Sequence, residues 1–271
     1  MATTAFDPAK LAHRISAALQ TGGALQLGTA DIPPDLDTAE TVLFRVVESL
    51  GQPFAAWKLG ASTTASRQAQ GFDRAWSAPF LAAEVLTSPA RLPAEADGML
   101  GLECELVFRL GADMPSAGLL DAATVAGLVV AVQAGIEVPA SRYPALGIYG
   151  APALVADRGA TGWLVIGEDS TDWTPAELDE MSARLLVNGV AHASGSGRDL
   201  IEGPFGALCD HLRRMQARGV PQPAGTLVSI GSLAGFCRVP AGASVTAEFA
   251  GLGCARLEIA DAIRRTLPER G

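Results

Sequence analysis

The segment from residue 102 to residue 110, LECELVFRL, constrains the fold of this chain more than any other. Polar and apolar residues alternate strictly at its start, which is typical of a β-strand with two different faces. Residues two apart on a strand share a face and lie about 6.6–6.8 Å apart, so Glu103 and Glu105 point the same way. Leu102, Cys104 and Leu106 point to the opposite face, toward the expected core. The chain is therefore expected to build a sheet that holds two carboxylates side by side.

Glycine and proline are abundant around this strand. The 271 residues include 30 glycines and 17 prolines, well above the usual share of about 12%. Such an excess favours turns and short strands over long helices. We predict helices at 8–19, 37–50, 124–134 and 206–218, and strands near 55–60, 102–110, 136–138, 163–167, 185–190 (turning at Asn188-Gly189), 227–231 and 244–249. The sequence thus predicts an α+β fold, with a helical region over residues 1–54 and a β-rich catalytic domain over residues 55–271, as two units or one continuous domain.

Charge and composition exclude several classes of function. The formal net charge of −9 argues against a nucleic-acid binder and against attraction to anionic membranes, because both tasks need a basic surface. The longest uncharged apolar candidate, residues 124–138, falls short of the roughly 20 residues that span a bilayer. The four cysteines form no C-x-x-C pair and the first residues lack a signal-peptide pattern. We therefore expect a cytoplasmic protein in a reducing compartment.

A third carboxylate lies in a similarly apolar stretch. Glu137 stands within Gly135-Ile136-Glu137-Val138-Pro139. Carboxylates in apolar surroundings repel each other and lose hydration, and a hard cation such as Mg²⁺ or Mn²⁺ removes both problems because it prefers oxygen ligands. Glu103, Glu105 and Glu137 are therefore candidate metal ligands. The alternative is that the glutamates lie on a solvated strand face, since E-x-E by itself is a weak signal.

Lys58 is the other residue whose side chain is a candidate for binding or catalysis. It lies in an apolar run between Trp57 and Leu59, where an ammonium group can bind an anion or stabilise a developing enolate. The commoner alternative is a surface lysine whose stem covers apolar neighbours. The sequence contains neither a G-x-S-x-G elbow nor a phosphate-binding G-x-x-x-x-G-K-[ST] loop. The three histidines, His13, His192 and His211, are best explained by surface, turn or packing roles.

Several segments, taken in order, resemble one known family. They are WKLGAS at 57–62, GLECELVFRL at 101–110, IEVPASR at 136–142, ADRGA at 156–160, and the later pairs Asn188-Gly189, Gly203-Pro204 and Gly231-Ser232. In this register they resemble the 2-keto-4-pentenoate hydratase and 4-oxalocrotonate decarboxylase group of the fumarylacetoacetate hydrolase superfamily. The resemblance covers about residues 10–255 and implies a mixed β-rich roll like that superfamily's C-terminal domain, with a small helical region before it.

The resemblance also implies an activity and a set of site residues. It implies Mg²⁺ or Mn²⁺ held by Glu103, Glu105 and Glu137, and a 2-hydroxy-2,4-dienoate to which water is added. It further implies catalytic roles for Lys58 and Asp73 and substrate contacts for Arg142, Gly231 and Ser232. Homo-oligomers are usual in this family, and hydratase and decarboxylase can form complexes.

Three departures from the family pattern leave other reactions open. An acid usual in the hydratases is replaced by the segment Ala75-Trp76-Ser77-Ala78, with only Asp73 nearby, and Ala140 and Arg158 stand where the family has Asp and Asn. A decarboxylase acting on a 4-oxalocrotonate-like diacid and a metal-retaining, non-catalytic 2-oxo-acid-binding subunit are the alternatives. An acylpyruvate hydrolase is disfavoured, because no histidine is followed three residues later by glutamate.

Overall fold

The computed structural model describes residues 6–95 and 97–260. Within them lie seven α-helices and twelve β-strands. The helices are α1 (Pro8–Thr21), α2 (Leu36–Leu50), α3 (Thr64–Gln70), α4 (Ala122–Leu128), α5 (Gly150–Ala156), α6 (Pro175–Glu180) and α7 (Gly203–Ala217). The strands are β1 (Phe54–Gly60), β2 (Trp76–Leu81), β3 (Val85–Thr87), β4 (Ala90–Pro93), β5 (Met99–Leu110), β6 (Val129–Val138), β7 (Trp163–Ile166), β8 (Ser182–Val187), β9 (Val190–Ser196), β10 (Leu227–Pro240), β11 (Ser244–Phe249) and β12 (Gly253–Ala260).

The strands form two sheets that share one large core. The first sheet has the strand order β2-β1-β10-β5-β6-β7-β3, and the second has the order β4-β12-β11-β8-β9. Strand β10 pairs parallel with β1 and antiparallel with β5, so it joins the N-terminal and central parts of the chain. Apolar residues of both sheets and of α7 form the main core. This arrangement confirms the predicted α+β class.

The two N-terminal helices have clear start and stop signals. Asp7 and Asp35 accept hydrogen bonds from the first free backbone N–H groups of α1 and α2, and Gly22 and Gly51 end them in the left-handed conformation. The helices bury their apolar faces against each other, α5 and Trp76 of β2, so this region shares a hydrophobic cluster with the β-rich body. None of the helices in the described part of the chain combines the length and apolar character needed to cross a bilayer.

The predicted helix at 124–134 is only partly correct. Helix α4 ends at Leu128, and the extended strand β6 begins at Val129. Val129, Val130 and Val132 are β-branched and favour extended backbone, and pairing with β5 buries most of the strand. The turn predicted at Asn188-Gly189 is confirmed, because both residues have positive φ angles of 51° and 78° and connect β8 to β9.

One histidine is enclosed completely by the fold. His211 of α7 has no exposed surface; its Nδ1 lies 2.9 Å from Ser77 Oγ, and its ring packs 5.4 Å from that of Trp57. Burial, reinforced by the positive charge of Arg214, lowers the pKa of His211 to about 3. The imidazole is therefore neutral in the folded protein at pH values where an unfolded chain binds a proton.

We predict that His211 makes the protein sensitive to mild acid. Between its ordinary pKa near 6.5 and the folded value of about 3, the unfolded state binds the extra proton, so stability falls as the pH falls through this window. The slope attributable to this residue is at most about 1.4 kcal/mol per pH unit. Unfolding of His211→Gln in urea should show a flatter stability profile from pH 6.5 to 4 than the wild type, whereas His13→Gln should retain the wild-type slope. Parallel profiles for all three proteins would contradict the assignment.

Candidate metal centre

Three strands in the middle of the larger sheet bring the candidate residues together. Lys58 comes from β1, Glu103 and Glu105 from β5, and Glu137 from β6. Glu137 lies directly opposite Glu103 in the antiparallel β5–β6 pair, so the two side chains share a face. Glu105 lies two residues further along the same face. The expectation that the glutamates share one face is therefore met by the strand register.

The three carboxylates form a compact cluster. One oxygen atom of each lies within 4.8 Å of those of the other two. Glu105 and Glu137 are 1% and 0% exposed, which excludes the alternative of a solvated strand face for them. Glu103 is partly exposed and lines a cavity above the sheet. The cluster thus has two buried members and one facing the opening.

Lys58 is a buried member of the same site rather than a surface lysine. Its side chain is 5% exposed and forms an ion pair with Glu137. Its Nζ also donates a hydrogen bond to the backbone oxygen of Gly159 at 3.1 Å and lies 5.8 Å from the centroid of the Trp76 ring. The ammonium group is therefore held from three sides at the floor of the cavity.

Strand β10 positions Glu105. The hydroxyl of Ser229 donates a hydrogen bond to Glu105 Oε2, and the backbone N–H of Gly231 donates to the same oxygen at 3.3 Å. The pairing of β10 with β5 is interrupted on both sides of Ser232, and such bulges redirect the backbone. Gly231 has a φ of 106°, and a Cβ there would lie 1.9 Å from Ser62 Oγ. Only glycine fits this position.

A left-handed turn after α5 supplies the carbonyl group that contacts Lys58. Arg158, Gly159 and Ala160 have consecutive φ angles of 53°, 61° and 54°, a conformation that is costly for residues with a side chain. The turn is held by the guanidinium of Arg158, which is buried and paired with Glu84. The strain therefore persists because the ion pair of the buried Arg158 with the partly exposed Glu84 anchors it.

Trp76 forms a wall of the site and lies in the segment 75–78, where the sequence departs from the hydratases that it resembles. A Cβ on Gly60 would lie 2.0 Å from its indole ring, and one on Gly159 would lie 2.3 Å from it, so both glycines permit close packing of the ring. The indole Nε1 donates to Gln70 Oε1 at 2.8 Å. The segment that departs from the family pattern thus contributes a rigid aromatic surface.

The electrostatics of the site are dominated by burial and by repulsion among the carboxylates. Burial and the charge of Glu137 raise the pKa of Glu103 to about 7. Burial together with the charges of Glu137 and Glu103 raises the pKa of Glu105 well above its ordinary value. Burial by itself lowers the pKa of Lys58, but the three carboxylates outweigh it and raise that pKa overall. Lys58 is thus charged, and it compensates only one of the three potential negative charges.

These properties fit a hard divalent cation. Glu137 Oε2 is buried and has no hydrogen-bond partner among residues 6–95 and 97–260, a costly condition for a carboxylate oxygen. All three side chains offer oxygen, the donor that Mg²⁺ and Mn²⁺ prefer. A cation bound there satisfies the unpaired oxygen and cancels the remaining repulsion. Glu103, Glu105 and Glu137 would hold it.

A cavity of about 440 Å³ reaches the cluster at Glu103 and Lys58. Lys58, Glu103 and Ser232 lie at its floor, and the hydroxyl oxygen of Ser232 is buried without a hydrogen-bond partner in the described part of the chain. Its walls include Trp76 and Phe236. The volume lies in the range of small-molecule sites, about 300–1,000 Å³. The arrangement can therefore receive a ligand that contacts the carboxylate cluster.

Two of the residues predicted for the site lie elsewhere. Asp73 is exposed in the loop between α3 and β2, where its backbone oxygen accepts a hydrogen bond from Arg67. The Arg142 guanidinium is occupied by Asp157 and by the backbone oxygen of Thr161. Neither side chain lines the cavity. Proton transfer by Asp73 and substrate binding by Arg142 stay predictions that this arrangement does not favour, because the Asp73 carboxylate is exposed and the Arg142 guanidinium is paired within the chain.

Sequence reasoning missed two contributors to the site. Ser229 stands as a polar residue within the apolar strand segment LVSIG, and that contrast is a signal that could have found it. Gly159 acts through its backbone oxygen, for which a single sequence carries no signal.

Comparisons with solved structures place this fold among known enzymes. The 4-oxalocrotonate decarboxylase from Pseudomonas putida G7, complexed with magnesium and adipate, matches with a TM-score of 0.81 and 18% identity over 93% of this chain and 97% of that one. Its complex with calcium and acetate gives 0.80 and 19% over 93% and 96%. Fumarylpyruvate hydrolase from Pseudomonas aeruginosa, with Mn²⁺ and pyruvate, gives 0.58 and 17% over 77% and 91%. No family model matches the sequence. The chain therefore has the fold that the sequence resemblance implied.

We predict that Glu105→Gln removes metal binding without unfolding the protein. Ser229 can still donate to the amide oxygen, and the cluster loses one repelling charge, so the melting temperature without metal should equal or exceed that of the wild type. Affinity for Mg²⁺ or Mn²⁺ should fall on the order of 100-fold or more. Even the loss of a group that only hydrogen-bonds to a metal ligand lowers metal affinity about 10–100-fold. Calorimetric titration measures this, with Glu258→Gln, an exposed glutamate of β12, as the control. Wild-type affinity in Glu105→Gln would remove this residue from the site.

Proposed function

We propose that the protein is a divalent-metal-dependent hydratase that adds water to a 2-hydroxy-2,4-dienoate and releases a 4-hydroxy-2-oxo acid. The observation that carries this proposal is the cluster of Glu103, Glu105 and Glu137 beside a buried lysine at the floor of a cavity. Carboxylate ligands that occupy one side of a cation leave coordination positions for a chelating ligand. A 2-oxo acid offers adjacent carboxylate and carbonyl oxygens that suit such positions.

The bound cation supplies Lewis-acid stabilisation of negative charge on the carboxylate and C2 oxygens of the substrate. The chain's own residues orient the substrate around that centre. The unpaired hydroxyl of Ser232 is available to the substrate carboxylate. The ring of Trp76 and the apolar cavity walls limit access of bulk water, which strengthens the electrostatic interactions inside.

Lys58 is the group that stabilises negative charge and donates a hydrogen bond beside the C2 oxygen. Its Nζ is fixed by Glu137 and by the carbonyl of Gly159, so it presents a positioned donor without reorganisation during the reaction. In the hydration, the proton of the 2-hydroxyl group leaves while C5 gains one, giving an unsaturated 2-oxo acid. Water then adds its hydroxyl to C4 and a proton to C3. Lys58 Nζ stabilises the enolate oxygen in both stages.

Decarboxylation of a 4-oxalocrotonate-like 2-oxo diacid is the second candidate. It is favoured by the likeness to 4-oxalocrotonate decarboxylase, which extends over 93% of this chain. Loss of CO₂ produces the same kind of enolate, so the same carboxylates and lysine serve both reactions. The third hypothesis is a non-catalytic subunit that retains the metal and binds a 2-oxo acid. Assembly as a homo-oligomer, or with a related decarboxylase or hydratase, stays a prediction.

The test is an assay of the purified chain with both substrates. Loss of the dienol absorbance of 2-hydroxypenta-2,4-dienoate is followed with Mg²⁺, with Mn²⁺ and with chelator, and NMR identifies the product. Metal-dependent formation of 4-hydroxy-2-oxopentanoate is the expected result. Release of CO₂ from 4-oxalocrotonate instead assigns the decarboxylase. Metal binding without turnover of either compound assigns the binding role, and failure to bind metal overturns the proposal.

We predict that Lys58→Met separates turnover from metal binding. Loss of the ammonium group should lower kcat by about 10²–10⁴-fold, the usual contribution of a positioned proton-transfer group, while metal affinity changes by less than about tenfold. The chain has two lysines, and the other, Lys10, is exposed and paired with Asp31, so Lys10→Met is the matched control. Equal losses of turnover and metal affinity would contradict the assigned role.

A further inference from the structure

The cavity above the carboxylate cluster has its positive charge at one end only. Of the described residues that line it, Lys58 alone carries a positive charge, and that charge lies at the floor, paired with Glu137. Toward the opening the lining carries no charge: it combines the hydrocarbon side chains Ala69, Leu146, Leu154 and Phe236 with the uncharged polar side chains Thr63, Ser66 and Gln70. The end of a ligand that points away from the floor therefore meets an uncharged and largely apolar surface.

The nearest arginines do not supply a second cation to the cavity. Arg67 lies on α3, but its guanidinium donates to the backbone oxygens of Ala61 and Asp73. Arg142 is paired with Asp157 and Arg158 with Glu84. None of the three lines the cavity. A second carboxylate on the ligand would lose its hydration there without gaining a charged partner from the described residues, which is unfavourable.

The cavity is also larger than a five-carbon acid requires. A volume of 440 Å³ lies well inside the range of small-molecule sites, about 300–1,000 Å³, whereas 2-hydroxypentadienoate is a small ligand of about eight non-hydrogen atoms. Leu146 and Phe236 are among the exposed large hydrophobic residues of the chain, 42% and 46% exposed. They become covered when a ligand extends from the floor toward the opening, and burial of apolar surface is favourable.

We infer that the site selects 2-oxo monoacids that carry an uncharged hydrocarbon tail, longer than that of a five-carbon substrate, over 2-oxo diacids. This inference rests on the proposed function for the binding of the 2-oxo acid end at the metal. The tail lies against Leu146, Leu154 and Phe236, with Trp76 as the rigid wall beside it. This selectivity favours the hydratase over the decarboxylase, because a decarboxylase that acts on a diacid must hold a second carboxylate.

Binding of unreactive 2-oxo acids to the magnesium-loaded wild-type protein tests the inference. The probes are pyruvate, 2-oxohexanoate and 2-oxoadipate, of which the last two have equal chain lengths and differ in the second carboxylate. Calorimetry should give 2-oxohexanoate an affinity about tenfold above pyruvate and at least tenfold above 2-oxoadipate. Binding of 2-oxoadipate as tight as that of 2-oxohexanoate would overturn the inference and leave the proposed function standing. No binding of any probe would overturn the proposed function itself.

A substitution in the cavity lining tests whether these residues determine the preference for monoacids over diacids. Ala69→Arg places a cation at the cavity lining, whereas Gln68→Arg places the same charge on the same helix outside the lining. Affinity for 2-oxoadipate should rise about tenfold in Ala69→Arg and change less than threefold in Gln68→Arg, with 2-oxohexanoate little affected in the control. An equal rise in both variants would assign the effect to net charge and contradict the inference.

Discussion

Burial of three ionisable side chains in the middle of one sheet, with a partly exposed fourth beside them, is the constraint on which the rest of this structure depends. Lys58 and three glutamates cannot leave water without partners. Strands β1, β10, β5 and β6 must therefore lie side by side in one register, so that the ammonium group meets Glu137 and the hydroxyl of Ser229 meets Glu105. The bulges in β10 and the left-handed turn after α5 are local irregularities that complete this set of contacts.

The same constraint links the site to the shape of the cavity. Lys58 is held by a carbonyl group on a strained turn, and the turn is held by the ion pair of the buried Arg158 with Glu84. Trp76 packs against the turn at Gly159 and closes one side of the opening. Arg158 thus anchors the turn, and Trp76 forms the apolar wall on which the inferred substrate selectivity rests.

Much of the site could be predicted because it is encoded locally. Alternation in β5 placed Glu103 and Glu105 on one face, and the apolar surroundings of Lys58 and Glu137 marked them as unusual. Other parts could not be derived in this way. The small apolar residues at 124–134 are predicted to form a helix, yet pairing with β5 makes most of them strand from Val129 onward. Asp73 and Arg142 have suitable chemistry, but residue type and alternation do not show that Asp73 lies in an exposed loop or that Arg142 pairs with Asp157.

The sequence by itself determined the class of fold, the candidate metal ligands and the lysine, because strand periodicity and residue chemistry are properties of neighbouring residues. Only the tertiary structure decided that Glu137 lies opposite Glu103, that Lys58 reaches Glu137 across 79 positions of the chain, and that Trp76 rather than an acid faces the cavity. Distances between remote segments follow from strand order, bulges and packing. Those properties belong to the assembled sheet, and no short stretch of sequence specifies them.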